Sequence, residues 1–351
     1  MIKNNFCIKY ILLLIVIFAS ILASGCASVK PSPAINQDHT ANGTAFKKKL
    51  KFAQDDEYVV LITKKNDSLA SLAQKYLGNE NKAWLIADFN KIKNIVPKRE
   101  IVIPLKPQNP SGVYVNGYQT VPILCYHRFG DNGNVKMTIS KEKFSQQMQY
   151  LKDNGYRVIA MRDMINFIEG KEALPKKAVI ITIDDGYRST YEIAYPVLKK
   201  LNFPATLFLY TDFAGAGDAI KWSHAKKMFN SGLMDIQPHS KTHPNMSLQK
   251  IMEDKQQYRK RILEEINNPD KRISKRLKTD MHTFAYPFGD TNKMIIDHLK
   301  AKKYKLGVTV QPGENPAYAH PYMLQRTMIF GDHTMSEFIS ALTVFENRDL
   351  K

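Results

Sequence analysis

The chain has little that could staple it, span a bilayer with it or balance its charge. Only three of its 351 residues are cysteine, and Cys7 and Cys26 both fall within the first 26. That leaves Cys125 alone in the folding part, so no internal disulfide can form. Cys125 lies in the apolar run "VPILCYH" and is expected to be buried, with nucleophilic chemistry the minor reading. Long apolar runs are also scarce. The N-terminal one, Ile11–Phe18, is too short to span a bilayer comfortably. Acid is in short supply: 33 Asp and Glu face 51 Lys and Arg, for a net charge of +18. A surface that basic favours anionic glycans, wall polymers, phospholipid or nucleic acid, or is simply a solvated face. No nucleic-acid-binding signature accompanies it. Internal repeats and long low-complexity segments are missing as well. With 44% apolar residues, the length suits two domains, or one large domain with an appendage.

The termini and linkers come next. Lys3 and Lys9 make a positive start, the apolar run follows, and small residues in "ILASGC" run into Cys26. This is a secretory signal pattern over residues 1–25. It resembles a bacterial lipoprotein signal, which implies cleavage before Cys26 and lipid on Cys26. The alternative is an uncleaved N-terminal anchor. Either way the domains are expected outside the cytoplasm. No Asp follows Cys26 to signal inner-membrane retention, which favours the outer membrane in a two-membrane host. Residues 26–56 are polar and aperiodic and read as a flexible tether. "KPQNPSG", about 106–112, reads as a linker.

Between them, residues 57–105 read as strand, helix, helix, strand. Asp67 or Ser68 starts the first helix, Leu69, Leu72, Ala73 and Tyr76 repeat at helical spacing, and Gly78 stops it. The stretch "KKNDSLASLAQKYLGNENKAWLIADFN…IVPKREIVIPL" resembles a LysM domain, a small βααβ module that binds N-acetylglucosamine-containing glycans. Asn66 stands where that family usually has Gly. The resemblance implies peptidoglycan as a partner; the alternative is a packing module without a ligand.

Residues 113–351 alternate strand-like runs ("VPILCYH", "AVIITID", "PATLFLY", "LMDIQPHS", "HTFAYPFG", "KLGVTV", "YMLQRTMIF") with helical patterns. Such alternation predicts an α/β fold with parallel strands, here a distorted, incomplete (β/α) barrel of about seven units. Active sites of such folds gather where strands end. Asp184 and Asp185 sit at one such end, His239 at another, and Tyr286, Pro287 and Phe288 follow a third. His239 and His243 are spaced i, i+4, and Pro244 favours a loop or single turn there. Two His and one carboxylate form a common shell for a catalytic divalent metal, whereas a lone His pair is as often structural. A cation neutralising Asp185 would make Asp184 tolerable beside it, free to act as general base on water that the metal activates. Gly186 lets the backbone turn closely, and the Tyr187 amide could stabilise an oxyanion. The bland alternative is a carboxylate pair capping the next helix.

These residues, "ITIDDGYRSTYEIAYPVLKKLNFPATLFL" with "HSKTH", resemble the polysaccharide deacetylases of the NodB-homology group, carbohydrate esterase family four. The resemblance covers roughly residues 121–342. It implies removal of acetyl from N-acetylated sugars, with Asp184 as base, Asp185, His239 and His243 as ligands of one divalent ion, and the Tyr187 amide in the oxyanion hole. Zinc suits the ligands, and cobalt, nickel or iron could share them. "FAYPFG", with Tyr286, Pro287 and Phe288, looks like the family's groove-wall motif, and Trp222 like its aromatic wall, unless Trp222 is core packing. Ala285 replaces a frequent motif Arg that orients the base; Arg326, in a strand-like run near the end, is a candidate substitute. No Leu-x-His acid motif is visible, and neither His320 nor His333 stands in for it. Those gaps and "VPILCYHRF" resemble the branch acting on exported poly-N-acetylglucosamine. The expected substrate is an exopolysaccharide or peptidoglycan. Alternatives are a glycoside hydrolase, whose carboxylates need about 5 Å or more between them, and a non-catalytic wall-binding lipoprotein.

Overall fold

The computed structural model describes residues 52–106, 108–131 and 136–349. The expected signal segment 1–25, Cys26 and the expected tether up to residue 51 lie outside the described residues. The end of the tether as read from sequence is structured: Phe52–Gln54 pairs antiparallel with Tyr58–Ile62, Phe52 opposite Leu61. The reversal is local chemistry. Asp55 Oδ1 accepts the Glu57 and Tyr58 amides at 2.7 Å each, which closes the turn.

The helix Leu69–Leu77 follows. Ser68 caps it by a reciprocal pair of bonds with Ser71, and Gly78 ends it at φ +70°. A second helix spans Ala83–Asn90, and Glu100–Pro104 completes an antiparallel three-stranded sheet beside Tyr58–Ile62. Asn90 staples helix to strand through both its amide atoms, at 2.6 and 2.8 Å from the Val102 backbone. Val59, Leu61, Leu72, Ala73, Ile86, Ile101 and Ile103 form a small core of their own.

The larger part is an α/β fold around parallel strands. Its main sheet runs in the order Met234–Pro238, Ala205–Leu209, Ala178–Ile183, Ile123–Tyr126, Thr327–Met328. Arg157–Ile159, a strand not read from the sequence, pairs with the first half of Ala178–Ile183. A separate parallel pair joins Thr283–Ala285 to Leu306–Val308. Between Met234–Pro238 and Thr283–Ala285 the ladder is interrupted, and the Gln237 side chain bridges the break by accepting the His282 and Thr283 amides at 3.0 and 3.2 Å. All seven runs read as strands contain one.

Ala178–Ile183 is buried at every position because it has neighbours on both edges and packing on both faces. Its side chains alternate between two cores. Ile181 and Ile183 join the outer layer under the helices, whereas Ile180 joins Ile123, Phe208, Val308 and Leu324 on the inner side. That period of two continues Ile180 and Thr182 into Asp184 on the inner row. The following helix opens into a wider turn over Thr190–Ala194, where Pro196 withholds the amide that a regular turn would need.

Candidate active site

Three strand ends and one distant strand converge. Asp184 and Asp185 leave the end of Ala178–Ile183 on a tight reversal: the Gly186 amide donates to Asp184 O at 2.9 Å, with Asp185 at φ +72° and Gly186 at φ +91°. A Cβ at Gly186 would stand 2.3 Å from Leu209 Cδ1, so the close approach requires glycine. The positive φ of Asp185 is a strained conformation of the kind functional sites carry.

Asp184 is fully enclosed and paired with Arg326, which is equally enclosed. Both guanidinium nitrogens meet the carboxylate at 2.7 Å, and the same group donates to Thr309 O at 2.7 Å and Thr182 Oγ1 at 3.1 Å. Burial alone would raise the Asp184 pKa; the Arg326 charge and hydrogen bonds, with His239, outweigh it and hold the group ionised well below the usual carboxylate range. The contact with Asp184 that Ala285 cannot make is thus made by Arg326, which immediately precedes the strand Thr327–Met328. Ala285 contributes through its backbone instead, where its carbonyl accepts from His239 Nδ1 at 2.9 Å. A carbonyl only accepts, so Nδ1 carries the proton and His239 Nε2 presents a lone pair to the site.

His243 Nε2 lies 3.2 Å from His239 Nε2 and 3.5 Å from Asp185 Oδ1, and His239 Nε2 lies 3.8 Å from that same oxygen. The His243 position is a loop at φ +61°, not a helical turn. Glu265, from the helix Lys255–Leu277, fixes that loop by accepting the Lys241 and Thr242 amides at 2.9 and 2.8 Å and the Thr242 hydroxyl at 2.7 Å. Burial lowers the His239 pKa to about 3, so the ring is neutral, as a metal ligand must be. Burial first, and the Asp184 charge second, push Asp185 up to about 7. Two neutral imidazole nitrogens facing each other beside a carboxylate poised to ionise form a donor set that a divalent cation fits. The donor atoms of Asp185, His239 and His243 all lie within 4.8 Å of one another.

Cys125, His127 and Asp184 also approach within 4.8 Å. Here the Arg326 guanidinium already occupies both Asp184 oxygens and opposes a second cation. Cys125 is buried, its thiol raised well above the ordinary range by burial, and it donates to Asp184 Oδ2 at 3.5 Å. It is a packing thiol rather than a nucleophile. His127 was missed, although it ends the strand Ile123–Tyr126 and the strand-end rule that flagged Asp184 also covers it. Burial lowers its pKa to about 4 and keeps it neutral beside the base.

Other site residues divide. The antiparallel bridge between Tyr187 and Ala219 runs through Ile220 N–H to Gly186 O and Arg188 N–H to Asp218 O, leaving the Tyr187 amide without a partner among the described residues. Phe288 is exposed, its ring 5.0 Å from that of His243. Tyr286 does not line a groove: it is buried, packs with Phe284 and donates to Tyr322 O at 3.0 Å. Pro287 is buried too. Trp222 packs against the outer core under the Arg276 guanidinium, 4.5 Å from its ring, the core-packing alternative. An aromatic rim unread from the sequence replaces them: Tyr210 flanks His243 at 5.2 Å, Phe213 stacks on Tyr210 at 4.9 Å, and Tyr187 meets Phe213 at 5.4 Å.

An enclosed Asp–Arg pair lies beside a two-histidine, one-carboxylate cradle, all at the ends of parallel strands in an α/β fold, and makes a candidate cation centre. Residues 171–307 match the family described as polysaccharide deacetylase, and the chain carries a polysaccharide deacetylase domain, a hydrolase of carbon–nitrogen bonds. It is 26% identical over 217 residues to a poly-β-1,6-N-acetyl-D-glucosamine N-deacetylase of Staphylococcus aureus, covering 60% of this chain and 74% of that protein. A Streptococcus pyogenes deacetylase solved in complex with acetate superposes with a TM-score of 0.58 at 25% identity, covering 64% of this chain and 98% of that one. The fold is shared with IcaB of Ammonifex degensii, TM-score 0.58 at 24% identity over 65% of this chain and 99% of that one.

Proposed function

We propose that the chain removes acetyl groups from an N-acetylglucosamine-containing polysaccharide at the cell envelope, using one divalent ion held by Asp185, His239 and His243. The observation that carries this reading is the convergence of those three side chains beside an Asp184 that Arg326 keeps ionised. The bound ion would supply Lewis acidity and acidify water; zinc suits the donors best, with cobalt, nickel and iron as substitutes. Asp184 takes a proton from the attacking water, whose oxygen bonds to the acetyl carbon. The free Tyr187 amide donates to the carbonyl oxygen as it gains charge. The carbon–nitrogen bond breaks, acetate leaves, and the nitrogen takes up the proton that Asp184 took from the water, with the neutral His127 beside that base as a relay. Phe288, Tyr210, Phe213 and Tyr187 offer ring faces and edges for sugar.

The relative from Staphylococcus aureus favours poly-β-1,6-N-acetylglucosamine over peptidoglycan. The N-terminal sequence pattern supports export and lipid attachment at Cys26. The strand–helix–helix–strand module over 57–105 supports a LysM-like hold on the wall. A glycoside hydrolase fits poorly. Asp184 Oδ2 and Asp185 Oδ1 both face His239 Nε2, at 3.7 and 3.8 Å, so the two carboxylates share one cradle rather than flank a bond from opposite sides. Moreover, an ionised, Arg-bound Asp184 has no proton to give a leaving sugar. The Arg326–Asp184 pair also removes one ground for an inactive shell. Acetylated glucosamine oligomers distinguish these readings: acetate without new reducing ends supports deacetylation, and new reducing ends refute it.

A further inference from the structure

The segment between the His243 loop and the helix Lys255–Leu277 carries Leu248, Ile251 and Met252, which are 61%, 95% and 95% exposed. Single exposed apolar residues are ordinary. Three within five positions, in a segment firmly tied at its base, call for a partner. Arg261 donates to Leu248 O at 2.9 Å and to the two Glu253 carboxylate oxygens at 2.7 and 2.8 Å. The Lys250 amide donates to Glu253 Oε2 at 2.9 Å, and the Tyr258 hydroxyl to Met246 O at 2.8 Å. Met252 itself is held at φ +68°, a conformation that costs a non-glycine residue free energy. The fold thus uses its polar contacts to keep two large apolar side chains in water.

Cations surround this tip. Lys250 lies within it, Lys255 opens the helix, and Arg259 and Lys260 follow about one turn later, within about one Debye length. None of the four enters an ion pair among the described residues, while Glu253 is neutralised by Arg261. Asp254 is engaged as the helix cap, which leaves Glu264 as the exposed acid further along.

We propose that Leu248–Met252, with Lys250, Lys255, Arg259 and Lys260, docks on the surface of an anionic phospholipid bilayer. A soluble polyanion would meet the cations and leave Ile251 and Met252 in water. An apolar protein groove would take the side chains and strip the lysines of water uncompensated. A bilayer offers phosphates at headgroup level and an acyl boundary below, so the apolar tips insert while the lysine stems extend upward. The contact is interfacial: no described helix is long and apolar enough to cross a membrane. The root of the tip is tied to the active-site rim, since Asn245 Nδ2 donates to Asp290 Oδ2 at 2.6 Å, two residues past Phe288. Docking would hold that rim close to the lipid surface. The inference stands independently of the deacetylase reading.

The test is the rate of Met252 sulfoxidation by dilute hydrogen peroxide in the full chain, read by peptide mass spectrometry. Trypsin separates Met252 from Met246, which is fully buried and serves as the unreactive control; Met323, 36% exposed elsewhere, reports general shielding. On vesicles of phosphatidylglycerol and phosphatidylcholine, Met252 oxidation should slow several-fold while Met323 is unchanged. The protection should weaken on phosphatidylcholine alone, and disappear when Ile251→Ser is combined with Lys255→Glu. An unchanged Met252 rate on anionic vesicles that carry the chain would overturn the proposal, because attachment would then run through other segments. Equal slowing by inorganic polyphosphate in solution would overturn it in favour of a soluble polyanion.

Discussion

Arg326 holds four acceptors from inside the protein, two of them the oxygens of Asp184. Removing one partner of a buried ion pair strands the other, at a cost of about 3–5 kcal/mol. Arg326→Met should therefore lower stability by about that amount and abolish turnover, measured by denaturant midpoint and acetate release. Arg326→Lys keeps a charge but loses the planar fork, and should fall between. A fully active Arg326→Met would refute the role given to Asp184. Asp185 sets the pH dependence. Its folded pKa, about 7, lies above the unfolded value near 3.8. Between those values the metal-free folded chain holds a proton that the unfolded chain has released, so the stability from this group is complete below pH 3.8 and is lost as pH rises through 7. A cation must displace the same proton. Zinc affinity, followed by calorimetric titration in steps of pH, should climb up to about pH 7 and then level off; a flat profile from pH 5 to 7 would contradict this assignment.

At the scale of elements, the loop holding His243 is set from outside by the helix Lys255–Leu277. Glu265→Ala removes the acceptor of two backbone amides, costing about 1–3 kcal/mol. Disturbing a ligand's support should weaken zinc binding by roughly 10–100-fold, and Glu265→Gln should restore part of it; unchanged affinity would make Glu265 a stability residue alone. His127→Ala should lower kcat with zinc content intact, whereas loss of zinc would move His127 into the ligand set. Much of this level was legible in the sequence. The run ending "ITIDD" announces a buried strand with two carboxylates at its end, for which the sequence alone left either a site or a cap on the next helix. The His pair and its loop followed from spacing and Pro244. Arg326 could only be suggested, since its contact with Asp184 depends on which distant strand lies beside Ile123–Tyr126. Tyr286 was misplaced for a reason visible afterwards: two residues from Phe284, it shares that residue's face and its core. The rim of Tyr210 and Phe213 was overlooked, although it follows the end of a strand as Asp184 does. The strand Phe52–Gln54 escaped notice because three residues carry too short a pattern, and its partner lies just across the Asp55 turn.

At the scale of the molecule, the βααβ module and the deacetylase domain border a cleft of about 1230 Å³, bounded by Trp84 and Tyr76 on one side and Tyr156 and Arg157 on the other. Lys82–Glu172 at 3.0 Å and Arg157–Asp88 at 3.2 Å reach across. Such half-exposed pairs contribute roughly 0–1 kcal/mol each, so Lys82→Ala should barely change the unfolding midpoint. The module has its own core, and the residues proposed for the reaction all lie beyond it, in the larger part. The decisive measurement is acetate release from acetylated glucosamine oligomers by chelator-stripped chain as zinc is restored in known equivalents. We expect none without metal, a rise that saturates at one equivalent, and an Asp184→Asn variant that takes up the same equivalent yet stays inactive. Full turnover by the stripped chain, or by Asp184→Asn, would show that Asp185, His239, His243 and their neighbouring base do not perform the reaction.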